Sequence, residues 1–130
     1  MTCDRTRWPI AHLIADGAVT HEGTRQLIAH ADALFAQAEP FGLLMETRNP
    51  RGVEVPHIRE WAEFLRSRRQ SIERRLVGVG FVLPSPMMRG ALRVLFTWVN
   101  PPFEYSVVDT EDAGLAFLRP LLPQSRVQAG

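Results

Sequence analysis

Four histidines are the first candidates for chemistry, because imidazole binds metal ions and transfers protons near neutral pH. They are His12, His21, His30 and His57. Glu22 follows His21, but the next histidine comes eight residues after Glu22, whereas a His-Glu-x-x-His zinc motif places it about three residues on. His21 and His30 would point to opposite sides of an ideal helix. We therefore predict four unrelated histidines, at the surface or half-buried, and assign no metal ligand.

The sequence also contains no motif for a catalytic serine or lysine. Ser71, Ser85 and Ser106 fall in a predicted helix, a helix cap and a strand, and none lies in a Gly-x-Ser-x-Gly motif. The 15 basic residues other than histidine are all arginine, which excludes Schiff-base and P-loop chemistry. Gly78 and Gly80 lack the third glycine of a dinucleotide-binding motif. No catalytic residue and no cofactor are predicted, and the chain is not expected to be an enzyme.

The composition is typical of one globular domain. The chain has 130 residues, of which 45% are hydrophobic and 22% charged, and this suffices for a single buried core. A net charge of +1 is too weak to favour nucleic acid as a partner. No apolar run approaches the roughly 20 residues that span a bilayer. We therefore expect a cytoplasmic protein without a transmembrane segment.

The ends of the chain are expected to be less ordered than its middle. Residues 1–7 are polar and are predicted to be frayed. Cys3, the only cysteine, falls in this stretch, so an internal disulfide is excluded and an inert exposed thiol is expected. The ordered core is predicted at about residues 8–123, followed by a flexible tail at 124–130.

The apolar pattern predicts four units, each a strand followed by a helix. The strands are predicted at residues 8–19, 41–47, 76–83 and 104–108. Thr20, Ser85 and Thr110 can cap helices with their hydroxyl groups, and Pro56 suits the first turn of a helix over residues 56–75. Strands alternating with helices favour an α/β fold with a mostly parallel, or mixed, sheet covered by helices.

Two glycines in the third predicted strand indicate close packing. Gly78 and Gly80 are two residues apart, so they lie on the same face of the sheet. Because neither has a side chain, a neighbouring helix or backbone can approach this face closely.

Five stretches combine turns, helix caps and buried strands in a characteristic order. They are Asp16-Gly17-Ala18-Val19-Thr20, Phe41-Gly42-Leu43-Leu44-Met45-Glu46, Phe81-Val82-Leu83-Pro84-Ser85, Arg89-Gly90-Ala91-Leu92 and Val107-Val108-Asp109-Thr110-Glu111-Asp112-Ala113. Together they resemble the STAS-like family, the fold of the anti-anti-sigma factors (SpoIIAA-like proteins) and of their lipid-handling relatives. The likeness spans roughly residues 8 to 120. It implies a non-enzymatic interaction module and names no particular partner.

The chain departs from the anti-anti-sigma pattern at one place. Members of that group carry a phosphorylatable serine or threonine in the turn after the strand that corresponds to residues 41–47. Here that turn, residues 46–52, has no serine, and Thr47 is its only hydroxyl residue. Thr47 is expected to belong to the strand, so regulation by phosphorylation at this turn is not predicted.

The predicted helix 85–99 has more apolar surface than a helix on a small sheet needs, which is a stripe about 100° wide. Apolar side chains surround most of its circumference, and Arg89, Arg93 and Thr97 form a narrow polar stripe. The candidate interaction residues are Met87, Met88, Arg89, Leu92, Arg93, Phe96 and Trp98. Either the surplus is exposed and marks a partner site, or the following Pro-Pro loop and the last helix cover it.

Three functions stay open at this point. The favoured one is a protein-interaction or regulatory module that binds a protein partner, or a second copy of itself, through helix 85–99. The second is peripheral binding of a lipid or apolar ligand by the same helix, where Trp98 and the Arg89/Arg93 pair suit a membrane interface. The third is a small-molecule enzyme, which would need a pocket with converging polar groups around Glu46, Arg48 and Ser85.

Overall fold

The computed structural model describes residues 1–123 and places five strands in one sheet. The strands are β1 (Thr2–Asp4), β2 (Ile10–Asp16), β3 (Phe41–Arg48), β4 (Leu76–Val82) and β5 (Glu104–Val108). They lie side by side in chain order; β2 to β5 are parallel, and β1 pairs antiparallel with β2. The predicted α/β class with a mostly parallel sheet is confirmed, and the sheet is mixed. The tail predicted at 124–130 lies outside the described residues.

Five α-helices and a short 3-10 turn connect and follow the strands. They are α1 (His21–Phe35), α2 (Val55–Ser67), α3 (Arg69–Arg75), α4 (Pro86–Trp98), α5 (Glu111–Leu118) and the turn Arg119–Leu121. The hydroxyl groups of Thr20, Ser85 and Thr110 accept hydrogen bonds from backbone N–H groups three residues on, so the predicted caps of α1, α4 and α5 are confirmed. Within residues 1–123, no helix has the length and apolar character needed to cross a membrane.

Strand β1 is a correction to the sequence prediction, which treated residues 1–7 as frayed. Thr2 pairs with Ile14 and Asp4 with His12, so the polar start of the chain forms one edge of the sheet. Three residues are too few to show a hydrophobic period, which explains why the pattern missed this strand. Cys3 lies in β1, and partial burial raises the pKa of its thiol.

The helix predicted over residues 56–75 is divided in two. It breaks at Arg68, whose backbone leaves the helical region between α2 and α3. The Arg68 guanidinium forms a two-point salt bridge with Asp32 of α1, with both N···O distances at 2.9 Å. After the break, Ile72 of α3 packs in the core against Leu34 of α1.

The two faces of the sheet are covered unequally. Helices α1 to α4 pack on one face, where Val79 and Phe81 of β4 meet their apolar side chains. Helix α5 packs on the other face, against β3, β4 and β5. A Cβ atom on Gly80 would lie 3.3 Å from the Cα atom of Gly114 in α5. The predicted close approach to the glycine face is confirmed, and the helix concerned is α5.

Candidate functional site

An apolar cavity of about 280 Å³ lies between the sheet and helices α1, α2 and α4. Its wall includes side chains of the sheet and of all three helices, among them Leu43, Met45, Val79, Phe81, Leu27, Ala31, Trp61, Leu65, Leu92 and Leu95. Asp16, Thr47 and Leu83, at or just beyond the carboxyl ends of β2, β3 and β4, also line it. Ligand sites of open α/β sheets occur at this end of the strands.

Three polar atoms of residues that line this cavity are buried without a hydrogen-bond partner among residues 1–123. They are Thr24 Oγ1, Thr47 Oγ1 and Trp61 Nε1. Buried polar atoms are almost always paired, because leaving one unpaired costs about 1–3 kcal/mol. An apolar wall with a few polar groups is the usual composition of a small-molecule site. The cavity therefore suits a mainly apolar molecule that has one polar end.

Helix α4 supplies one wall of the cavity, and this accounts for part of its apolar surplus. Met88 and Leu92 are 5% and 8% exposed and line the cavity, and half-buried Phe96 also lines it. On a neighbouring side of the helix, Met87, Val94 and Trp98 remain 39–42% exposed. Their spacing places them along one stripe, which we call the α4 stripe. The exposed alternative therefore describes the α4 stripe. The prediction that the last helix covers the surplus is wrong, because the covered side of α4 packs against α2 and the sheet, whereas α5 lies on the opposite face.

The two arginines of α4 have different surroundings. Arg89 is half-buried; its Nε donates a hydrogen bond to the Leu83 carbonyl at 2.6 Å, and its Nη2 pairs with Asp109. Arg89 thereby ties the end of β4 to the loop that precedes α5. Arg93 is exposed and lines a groove between α4 and β5, together with Phe96 and Tyr105.

Four aromatic side chains stand at the β5 end of the cavity. Phe81, Phe96, Phe103 and Tyr105 contact one another, with ring centroids 4.8–6.4 Å apart. The three phenylalanines line the cavity, whereas Tyr105 is 42% exposed. Edge-to-face and tilted contacts of this kind hold rings in fixed positions, so this part of the cavity wall is preorganised.

On the α5 face, His12 lies between two carboxylates. Its Nε2 is 2.8 Å from Glu46 Oε1, and its Nδ1 is 3.2 Å from Glu111 Oε1. Arg48 Nε donates to the other Glu46 oxygen at 2.7 Å. Glu46 and Arg48 therefore pair with each other, while Ser85 caps α4, which lies on the opposite face. The three residues that the enzyme hypothesis required do not converge on one pocket.

The ion pair between Glu46 and Arg48 should make the stability of the protein depend on pH in the acid range. Burial acts to raise the pKa of Glu46, but hydrogen bonds from Arg48 and His12 outweigh it and hold this pKa below the usual 4.5. A depressed pKa in the folded state adds stability above the unfolded pKa, and that stability is lost as the pH falls through the folded pKa. We expect Glu46→Gln to lower the free energy of unfolding by about 1 kcal/mol at pH 7, and to lower it less below about pH 4.5.

Thermal unfolding followed by circular dichroism from pH 7 to pH 3 would measure this difference. Glu22→Gln is the matched control, because Glu22 pairs with Arg25 on the exposed surface of α1 and such pairs contribute little. A Glu46→Gln deficit that stays constant across the whole pH range would contradict the assignment.

A second histidine cluster joins residues that the sequence prediction treated as unrelated. His21 and His57 lie with ring centroids 4.9 Å apart, and both face Glu60. The prediction of unrelated histidines is wrong for this pair. The available signal was the spacing of His57 and Glu60, which places both on one side of a helix. No sequence signal connects them to His21, which joins them only through the packing of α1 on α2.

The arrangement of strands and helices is a SpoIIAA-like fold, as the sequence resemblance predicted. A solved structure from Shewanella loihica PV-4, an uncharacterized protein of the DUF3478 family with a SpoIIAA-like fold, matches the chain with a TM-score of 0.65. The two are 15% identical, and the match covers 90% of each chain. No family model matches the sequence, and no curated protein matches it. At this identity the likeness shows the fold alone.

Proposed function

We propose that this chain is a non-enzymatic regulatory module that binds a small, mainly apolar molecule in the cavity between the sheet and α1, α2 and α4. The observation that carries this proposal is a mainly apolar cavity of about 280 Å³, three of whose lining residues have a buried polar atom without a hydrogen-bond partner among residues 1–123. A packed core has few voids of this size. A ligand in this cavity would contact the sheet and helices α1, α2 and α4. A change in how these four parts pack on one another would connect ligand binding to regulation.

The size of the cavity limits the ligand. An apolar protein cavity of about 150 Å³ binds benzene, which has six non-hydrogen atoms, so a cavity of about 280 Å³ has room for about eleven non-hydrogen atoms by the same ratio. A medium-chain carboxylic acid such as decanoic acid, with ten carbons and two oxygens, is close to this size and has one polar end. Thr24, Thr47 and Trp61 carry polar atoms that are unpaired among residues 1–123, and we propose that at least one of them binds that end while Leu and Phe side chains contact the chain.

Titration calorimetry with decanoic acid tests the proposal. A binding free energy of about −0.6 kcal/mol per non-hydrogen atom lies between the bound of about −1.5 for the best very small ligands and about −0.3 for drug-sized ones, and for decanoic acid it corresponds to a Kd of about 5 μM. Butanoic acid is the control ligand, because it keeps the carboxylate and leaves most of the cavity unfilled. Equal affinity for the two acids, or binding to neither, would contradict the proposal.

Thr47→Val is predicted to separate folding from binding. Valine has nearly the shape of threonine and lacks the hydroxyl that is buried without a partner among the described residues. We expect the free protein to gain up to about 1 kcal/mol of stability, and the affinity for decanoic acid to fall about fivefold, the value of one hydrogen bond. The measurements are thermal unfolding and the same titration. A loss of stability in the free protein would show that the hydroxyl serves the fold.

A second candidate function, binding of a protein partner or a second copy of the chain, is favoured by the α4 stripe. Three of the five exposed large hydrophobic residues of the described chain belong to it: Met87, Val94 and Trp98. Light scattering of the wild-type protein and of a Val94→Gln/Trp98→Gln double variant tests this. A wild-type dimer that the double variant converts to a monomer supports self-association. A monomer in both cases, combined with no co-sedimentation of the wild type with liposomes, removes self-association and membrane binding together.

A further inference from the structure

Three possible metal ligands meet where α1 and α2 begin. His21 is the first residue of α1, and His57 and Glu60 lie one turn apart near the start of α2. Both histidines turn Nδ1 toward the same Glu60 oxygen, Oε1, at 2.7 Å from His21 and 3.4 Å from His57. One ligand atom from each residue lies within 4.8 Å of the others.

Burial distinguishes this cluster from an ordinary surface ion pair. His57 is only 7% exposed. Its Nδ1 and Glu60 Oε1 are both buried, and neither makes a hydrogen bond of good geometry with any residue in 1–123. Two buried polar atoms that face each other without a hydrogen bond are rare in proteins. A cation between them would satisfy both at once.

We propose that His21, His57 and Glu60 bind one Zn²⁺ ion. Zinc bonds of about 2.0–2.1 Å in a tetrahedron place neighbouring ligand atoms about 3.4 Å apart. His57 Nδ1 and Glu60 Oε1 are 3.4 Å apart, whereas His21 Nδ1 lies 2.7 Å from Glu60 Oε1 and would have to move outward, which its exposed side chain permits. Two imidazoles and one carboxylate suit zinc rather than Ca²⁺ or Mg²⁺, which prefer oxygen ligands. Three protein ligands leave a fourth position for water or another small donor.

The ion would fasten the start of α1 to the start of α2. Thr24 lies one turn beyond His21, and Trp61 directly follows Glu60; both line the apolar cavity. A bound ion would therefore fix the separation of two helices that form the cavity wall. The zinc proposal rests on the three ligands alone and stands whether or not the cavity binds a ligand.

Titration calorimetry with zinc chloride tests the site, on protein without a histidine tag and in a buffer that does not chelate metals. We expect one Zn²⁺ per chain, and a more than about 100-fold loss of affinity in Glu60→Gln and in His21→Gln, because losing a direct ligand costs at least as much as losing a group that supports one. His30→Gln is the matched control, since His30 lies further along α1 and outside the cluster. Cys3→Ser controls for the thiol.

Cobalt replaces zinc in a second measurement that does not depend on affinity alone. Four-coordinate Co²⁺ absorbs visible light far more strongly than hydrated Co²⁺, so the wild type and His30→Gln are expected to show this absorption and Glu60→Gln to lack it. Glu60→Gln preserves side-chain shape, and its circular dichroism reports whether it is folded. No zinc binding by the wild type, or equal binding by wild type and folded Glu60→Gln, would overturn the proposal.

Discussion

Replacing Ala31 with leucine is expected to reduce the affinity for decanoic acid about 50-fold while the protein stays folded. Ala31 lines the cavity from α1 and is 5% exposed. A leucine side chain would occupy space that three ligand methylene groups otherwise fill, and each buried methylene contributes about 0.8 kcal/mol. Because filling a cavity commonly stabilises a protein, we expect the free energy of unfolding of Ala31→Leu to be unchanged or to rise by about 1 kcal/mol.

Two matched substitutions make this result interpretable. Ala62→Leu places the same side chain in α2 at a position that is 2% exposed and does not line the cavity, so overpacking should cost about 1–3 kcal/mol. Ala113→Leu changes an exposed residue of α5 and should alter neither stability nor binding. Calorimetric titration and thermal unfolding measure all three variants. If Ala31→Leu bound decanoic acid like the wild type, the ligand would not occupy the cavity.

Replacing Gly80 with valine is expected to lower the free energy of unfolding by about 3 kcal/mol. A Cβ atom at Gly80 would lie 3.3 Å from the Cα and carbonyl oxygen of Gly114 and from Leu44 Cδ1. The first two are backbone atoms of α5, which cannot move aside as a flexible side chain can. Two further methyl groups must therefore push α5 away from the sheet, at a cost near the upper end of the range for overpacked cores.

Gly90→Ala is the control for this effect and should act in the opposite direction. Gly90 lies inside α4, and a Cβ atom there meets no other atom within 4 Å. Alanine is better than glycine inside a helix by about 0.5–1 kcal/mol, so a gain of that size is expected. Urea unfolding at neutral pH measures both variants. A Gly80→Val protein as stable as the wild type would contradict the close packing of α5 on β4.

Local signals made the starts of α1, α4 and α5 predictable from the sequence. Thr20, Ser85 and Thr110 accept hydrogen bonds from N–H groups only three residues away, so the residues that determine each helix start are neighbours in the chain. The glycine face was predictable for a similar reason, because the alternation of a strand places Gly78 and Gly80 together. The identity of the helix that approaches them, α5, depends on topology, which the local pattern does not contain.

The histidine cluster and the cavity depend on tertiary packing, which local sequence patterns do not show. His21 joins His57 and Glu60 only because α1 and α2 pack side by side, and the two histidines are far apart in the chain. The cavity could not be predicted from the sequence for another reason. Apolar residues such as Leu43, Leu92 and Phe96 have the same spacing in a filled core and in a core that contains a cavity. Thr47 is the clearest example of what the sequence does not predict. Its place in β3 was expected, but the burial of its hydroxyl beside the cavity was not.

The buried hydroxyl of Thr47 also bears on regulation. Thr47 belongs to β3, as the sequence predicted, and its Oγ1 is buried. A kinase requires an accessible hydroxyl, so phosphorylation of this residue would need the strand to open. If this chain regulates another protein, occupancy of the cavity offers a route that does not require modification of the turn after β3.

Nuclear magnetic resonance of ¹³C-methyl methionine protein tests binding in the cavity most directly. Met45 and Met88 line the cavity, whereas Met87, the neighbour of Met88, is exposed on the α4 stripe. On addition of decanoic acid, the Met45 and Met88 methyl signals should shift and show contacts with ligand protons, and the Met87 signal should stay in place. A shift of Met87 without Met45 and Met88, or no shift at all, would contradict a ligand site inside the fold.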